Sequence, residues 1–107
     1  MQHITAPELA IWLADKTKSP PLLLDVREPW EYDTCHILDV TLMPMQTVPT
    51  RFQELDPDAL IVCICHHGGR SMQVANFLER NGFTQLINLT GGMHSWAQRV
   101  DTTMATY

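Results

Sequence analysis

Basic residues are scarce in this 107-residue chain: 7 Lys and Arg against 12 Asp and Glu leave a formal charge of −5. That balance argues against nucleic acid and anionic membrane as main partners, and an anionic ligand must be drawn by a local positive site instead. Long apolar runs are also missing, and none approaches the length needed to span a bilayer. The N-terminal stretch Met1-Gln2-His3-Ile4-Thr5 has neither the basic nor the apolar region of a signal peptide, so a cytoplasmic location is expected. Cysteine is limited to 3 residues, an odd number that excludes a complete disulfide framework. Cys63 and Cys65 lie two apart on an expected strand and cannot easily bridge there, so reduced thiols in a reducing compartment are expected. Repeats and low-complexity segments are absent.

What remains is an ordinary globular composition, 45% apolar and 18% charged, in a length that suits one domain with its own core. Thr5-Ala6-Pro7-Glu8 reads as a capping box, with Thr5 as N-cap, Pro7 in the first turn and Glu8 reaching back. Leu9, Trp12 and Leu13 continue it at helical spacing, and Ser19-Pro20-Pro21 stops it. The runs 22–26, 60–64 and 85–89 are short and mostly apolar, as strands buried on both faces are. Residues 40–43 form a weaker strand candidate, and 50–55 a short helix ended by Asp56-Pro57. Between the strong runs, 71–81 carries an apolar face with Gly82 at its C-cap, and Gly91-Gly92 opens a last helix through Met93, Trp96, Ala97 and Val100. Trp12 and Trp96 are expected in the core, and the tail 101–107 is expected to fray. Strands alternating with helices indicate an α/β domain with a mostly parallel sheet, whose sites gather at the carboxyl ends of the strands.

The stretch Cys65-His66-His67-Gly68-Gly69-Arg70-Ser71 stands at such an end. A cysteine there meets backbone N–H groups and the positive end of a helix, both of which favour a thiolate. Gly68 and Gly69 allow a curled loop whose N–H groups point inward. Arg70 either meets an anionic donor or pins the loop by pairing with Glu28 or Glu31. Ser71 is expected to cap the following helix and to donate towards the loop. His66 and His67 are expected at the pocket mouth, where partial protonation helps hold an anion, or as solvated loop residues. A metal site built from them with Cys35, His36, Cys63 and Cys65 is not expected, because a strand end cannot turn those side chains onto one ion. Cys63 is expected to be a small buried hydrophobe, and Cys35 to occupy a surface turn.

The segments Asp25-Val26-Arg27-Glu28-Pro29-Trp30-Glu31-Tyr32, His36-Ile37, Cys65 to Ser71, and Leu89-Thr90-Gly91-Gly92-Met93-His94-Ser95-Trp96 resemble, in order, the landmarks of the rhodanese-like sulfurtransferases. The resemblance implies a three-layer α/β domain over residues 1–107, with a mostly parallel five-stranded sheet flanked by helices on both faces. It also implies a Cys65 persulfide as working intermediate and Asp25, Arg27 and Glu28 as supports of the loop. One departure is Cys35, before His36-Ile37, where many members carry the more freely turning glycine.

Phosphatases and arsenate reductases share the order strand, cysteine, loop, arginine, helix, but commonly place five residues between cysteine and arginine. Here four intervene, His66 to Gly69, a tighter loop suited to one sulfur atom rather than a phosphate. The expected activity is therefore transfer of a sulfane sulfur from a donor such as thiosulfate to cyanide or a thiol, with no metal or organic cofactor. The expected partners are a small sulfur-containing anion or thiol, or a protein sulfur donor or acceptor. A sulfur carrier and a non-catalytic regulatory binding module remain the alternatives, with a cysteine-dependent phosphatase or arsenate reductase ranked behind them.

Overall fold

Apolar runs too short for a helix and too apolar for a sheet surface need cover on both faces, and the chain supplies it. The computed structural model describes residues 1–107. Five strands form one sheet: β1 (Gln2–Ile4), β2 (Leu22–Asp25), β3 (Thr41–Leu42), β4 (Ile61–Ile64) and β5 (Leu86–Leu89). Their spatial order is β1-β5-β4-β2-β3, and every pair is parallel. The strands β4 and β5 are buried throughout, as continuous apolar runs require. The edge strands β1 and β3 are short and largely exposed. β1 was not anticipated, because three residues carry no periodicity, and β3 is shorter than the expected 40–43.

Helices cover both faces, as expected. Helix α1 (Ala6–Ala14) and helix α5 (Gly92–Arg99) pack on one side, where Leu9, Leu23, Val62, Ile64, Ile87, Met93 and Trp96 share a core. Helix α4 (Gly69–Arg80) covers the other, where Leu24, Ile61, Cys63, Val74, Leu78 and Phe83 form a second core. The alternation along β4 sends Cys63 and Cys65 to the α4 side and Val62 and Ile64 to the α5 side.

The capping box of α1 is formed: Glu8 N–H donates to Thr5 Oγ1 (3.3 Å) and Thr5 N–H to Glu8 Oε1 (2.9 Å). Helix α2 (Pro29–Thr34) follows β2, with a proline in its first turn. The helix expected over 50–55 is instead α3 (Val48–Arg51) set between two 3₁₀ turns, Met45–Thr47 and Phe52–Glu54. Pro44 and Pro49 break this stretch into single turns. No helix is long and apolar enough to cross a membrane.

With β4 in the centre of a parallel sheet, its carboxyl end opens between the ends of β2 and β5. The segments following β2, β4 and β5 therefore converge on one edge.

Candidate active site

Cys65 follows the last residue of β4 and is 1% exposed. Its Sγ accepts the N–H of Gly68 at 3.0 Å and lies 3.3 Å from Ser71 Oγ. Gly68 has φ +111°, a left-handed conformation that L side chains rarely adopt, and this bends its N–H back onto the sulfur. Gly69 does not share that role. It starts α4 with an ordinary backbone, and a Cβ added there would meet nothing within 4 Å. The curl rests on Gly68, and one backbone N–H reaches the sulfur rather than a succession of them.

Ser71 is not the helix cap. Gly68 occupies that position, and Ser71 is the third residue of α4, facing inward. Its hydroxyl has one proton and three acceptors in reach: Cys65 Sγ, Gly68 C=O at 3.2 Å and Asn88 Oδ1 at 2.5 Å. Asn88, on β5, also donates from Nδ2 to Gly68 C=O at 3.2 Å. This residue was missed, although one amide within the apolar run Leu86-Ile87-Asn88-Leu89 was a visible signal. At 2% exposure it needs partners, and the loop provides them.

Helix α5 holds the loop from the same side. The first N–H groups of a helix have no partner within it. Here Met93 N–H donates to Cys65 C=O at 2.8 Å and His94 N–H to His66 C=O at 3.0 Å. The approach is so close that a Cβ on Gly92 (φ +55°) would stand 2.3 Å from Cys65 O and 2.6 Å from His66 C. Gly92 is thus required by the neighbouring loop as well as by its own turn.

The α2 side uses charge. Arg70 pins the loop by a two-pronged pair with Glu31, Nη1 to Oε1 at 2.6 Å and Nη2 to Oε2 at 2.8 Å. Of the two acidic partners considered, Glu31 is the one used. The Arg70 hydrogen bonds hold the Glu31 carboxyl down at about 2, against the opposing effect of its burial, and the same pairing raises Arg70 further.

Arg27 is fully buried and donates Nε to Asp25 Oδ1 at 2.9 Å and Nη2 to Asp25 Oδ2 at 2.6 Å. It also donates to the carbonyls of Cys35 and Glu31. Burial works against its charge, but the bonds to Asp25 and Tyr107 outweigh it and leave its pKa raised. Asp25 accepts the Arg27 N–H as well, so both brace the turn after β2. Glu28 contributes as the N-cap of α2, its N–H donating to Glu31 Oε1 at 2.9 Å.

Two residues sit where the sequence did not put them. Cys35 is buried rather than in a surface turn, with its carbonyl on Arg27. Its backbone is extended, with φ −164°, an angle cysteine adopts as readily as glycine. The tail, expected to fray, ends on Tyr107 at the site. The Tyr107 hydroxyl accepts from Arg27 Nη1 at 2.9 Å and donates to Glu31 Oε2 at 2.8 Å. Burial, set against the bond from Arg27, pushes this phenol up to about 12.

The Tyr107 ring also lies 4.3 Å from the half-buried ring of His66. His66 is held below its usual pKa by burial and by the neighbouring His67. Cys63 is fully buried, and that burial pushes its thiol up to about 12, consistent with an inert core residue. All three cysteines are free.

A parallel α/β sheet here delivers a buried cysteine into a braced loop with one backbone N–H on its sulfur, an arrangement suited to cysteine-centred group transfer. The chain belongs to the rhodanese-like family: the Rhodanese-like domain model matches residues 8–99. It is 36% identical over 98 residues to a sulfurtransferase of Allochromatium vinosum, covering 92% of this chain and 90% of that one. It is 38% identical over 79 residues to YrkF of Bacillus subtilis, named as a candidate sulfur carrier, across 74% of this chain. The chain spans less than half the length of several curated relatives, 43% of YrkF among them. Its fold matches the rhodanese-like domain protein of Staphylococcus aureus with a TM-score of 0.83 at 33% identity, over 90% of this chain and 91% of that one.

Proposed function

We propose that this protein is a sulfurtransferase that carries a sulfane sulfur as a persulfide on Cys65. The observation that supports this most directly is the surroundings of Sγ: the Gly68 N–H at 3.0 Å and the Ser71 hydroxyl at 3.3 Å, inside a loop of only four residues between Cys65 and Arg70. A backbone N–H aimed at a sulfur, with a hydroxyl in reach, stabilises negative charge on it, and a loop this short suits one sulfur atom rather than a phosphate.

In the first step Cys65 thiolate attacks the outer sulfur of thiosulfate. The new S–S bond forms as the sulfur–sulfur bond of the donor breaks, and sulfite leaves with the electron pair. In the second, cyanide or a thiolate attacks the outer sulfur of the persulfide, and Cys65 departs as thiolate. Neither step needs a metal or an organic cofactor. The buried position of Cys65 requires a covering side chain to move aside for the donor. A protein thiol is a second source or acceptor of the sulfur, favoured by the similarity to YrkF. Reduced thiols suit a cytoplasmic setting.

Intact mass spectrometry tests the reading. Incubation with thiosulfate is expected to add one sulfur atom, absent in Cys65→Ala and removed by cyanide as thiocyanate. Retention of the added sulfur in Cys65→Ala would move the nucleophile to another cysteine. Hydrolysis of an aryl phosphate without any sulfur gain would replace the reading with a phosphatase. No gain and no turnover would leave a binding module.

A further inference from the structure

Beside the cysteine loop the fold assembles a second group of side chains that the proposed sulfur transfer does not use. His66 and His67 leave the loop, and His94 rises from the first turn of α5. The His94 N–H bond to the His66 carbonyl fixes the two backbones against each other. The ring centres of His66 and His67 are 4.1 Å apart, those of His67 and His94 4.9 Å, and those of His66 and His94 5.9 Å. One nitrogen of each ring lies within 4.8 Å of the others. Three imidazoles reach this spacing although they come from positions 28 residues apart at most.

We propose that His66, His67 and His94 form a binding site for a borderline divalent transition-metal cation of the Zn²⁺ type. Imidazole is a ligand of choice for such ions, and three of them leave at least one coordination position open. With metal–nitrogen bonds of about 2.0–2.1 Å, tetrahedral ligand atoms stand about 3.4 Å apart. The present spacing therefore needs a closure of about an ångström, which side-chain rotation of the exposed His67 and His94 supplies.

His66 has an unmet bonding capacity as well. Its Nδ1 is shielded from solvent and has no hydrogen-bond partner in the protein. No hydrogen bond at Nδ1 therefore holds the ring against a turn towards a cation at the cluster. Cysteine ligation is not part of the site: Cys63 and Cys65 belong to the core under α4, and Cys35 packs beside Arg27 Nη1. This set differs from the mixed cysteine and histidine set set aside on sequence grounds. It becomes available only because α5 brings His94 to the loop.

Tag-free protein titrated with Zn²⁺ against a chromophoric chelator tests the proposal, with Co²⁺ absorption as a spectral readout. Saturable binding of one ion is expected, with Co²⁺ d–d bands and no thiolate-to-metal charge-transfer band. His94→Ala and His67→Ala, both at exposed positions, are each expected to weaken binding at least about tenfold, since losses of even outer-shell partners cost that much. Cys65→Ser is expected to bind as the wild type does. Absence of saturable binding, undiminished affinity in both histidine variants, or a thiolate band lost in Cys65→Ser would overturn the site. Each readout is independent of sulfur transfer, so failure of the metal site and failure of the persulfide reading are told apart.

Discussion

The Cys65 loop is gripped from two sides by unlike means. Towards α2 the grip is ionic: Arg70 on Glu31, Arg27 on Asp25, with the Tyr107 hydroxyl joining the two pairs. Towards β5 and α5 it is neutral and close, made of Asn88, Ser71 and two backbone N–H groups, with Gly92 pressed against the loop. The ionic side tolerates small displacements but depends on charge state. The neutral side is indifferent to pH but has no room. One loop thus carries two separate vulnerabilities, and each can be struck without touching the cysteine.

The largest effect is expected on the neutral side. Gly92→Ala places a methyl within bonding-clash distance of the Cys65 and His66 backbone and strains a left-handed residue. A loss of about 4 kcal/mol follows from overpacking and strain together, read as a fall in urea midpoint with loss of persulfide formation. Wild-type stability in this variant would show that the two loops part easily.

On the ionic side, Asp25→Ala leaves a fully buried guanidinium without its carboxylate. The expected cost is about 3 kcal/mol, and Asp25→Asn should recover part of it by keeping a hydrogen-bond acceptor. A negligible change in thermal midpoint would mean that Arg27 is held by its carbonyl and tyrosine partners alone.

Glu31→Gln separates the two sides by pH. With its pKa held at about 2 in the folded protein and near 4.5 when unfolded, ionised Glu31 contributes stability above pH 4.5 that disappears as pH falls towards 2. Wild-type stability should therefore decline across that window, and Glu31→Gln, weaker at neutral pH, should show a shallower slope. Urea titrations at pH 6, 4 and 3 give the comparison; parallel slopes would remove Glu31 from the grip.

The smallest effect is expected at Gly69→Ala. Its backbone is ordinary and its surroundings open, so alanine should be neutral or stabilising by about 0.5 kcal/mol. A loss of activity there would show that the loop must flex at α4's start.

The Cys65 loop, the first helix and the three central strands were legible in the sequence because each is a local pattern: a glycine turn, a capping box, an apolar run. Gly68 and Gly69 looked alike, and only the backbone angle separates them. The Glu31–Arg70 pair was legible as one of two choices, since Glu28 and Glu31 both follow β2 and only the turn of α2 decides which faces the loop. Asn88, Gly92, Tyr107 and His94 acquire their roles from chain crossings, with Ser71 and Asn88 separated by 17 positions and Glu31 and Tyr107 by 76. No spacing rule encodes such meetings. The edge strands β1 and β3 escaped or shrank for the opposite reason, being too short to carry any pattern.

Gly92 has a consequence for anyone who would reshape this domain. The Cys65 loop and the start of α5 fit like two halves of a mould, so neither can be redrawn alone: a longer loop grafted at residues 66–69 would collide with a backbone that has no side chain left to shave. Libraries that vary the two segments together should yield active proteins, whereas libraries confined to either one should be dominated by misfolded members.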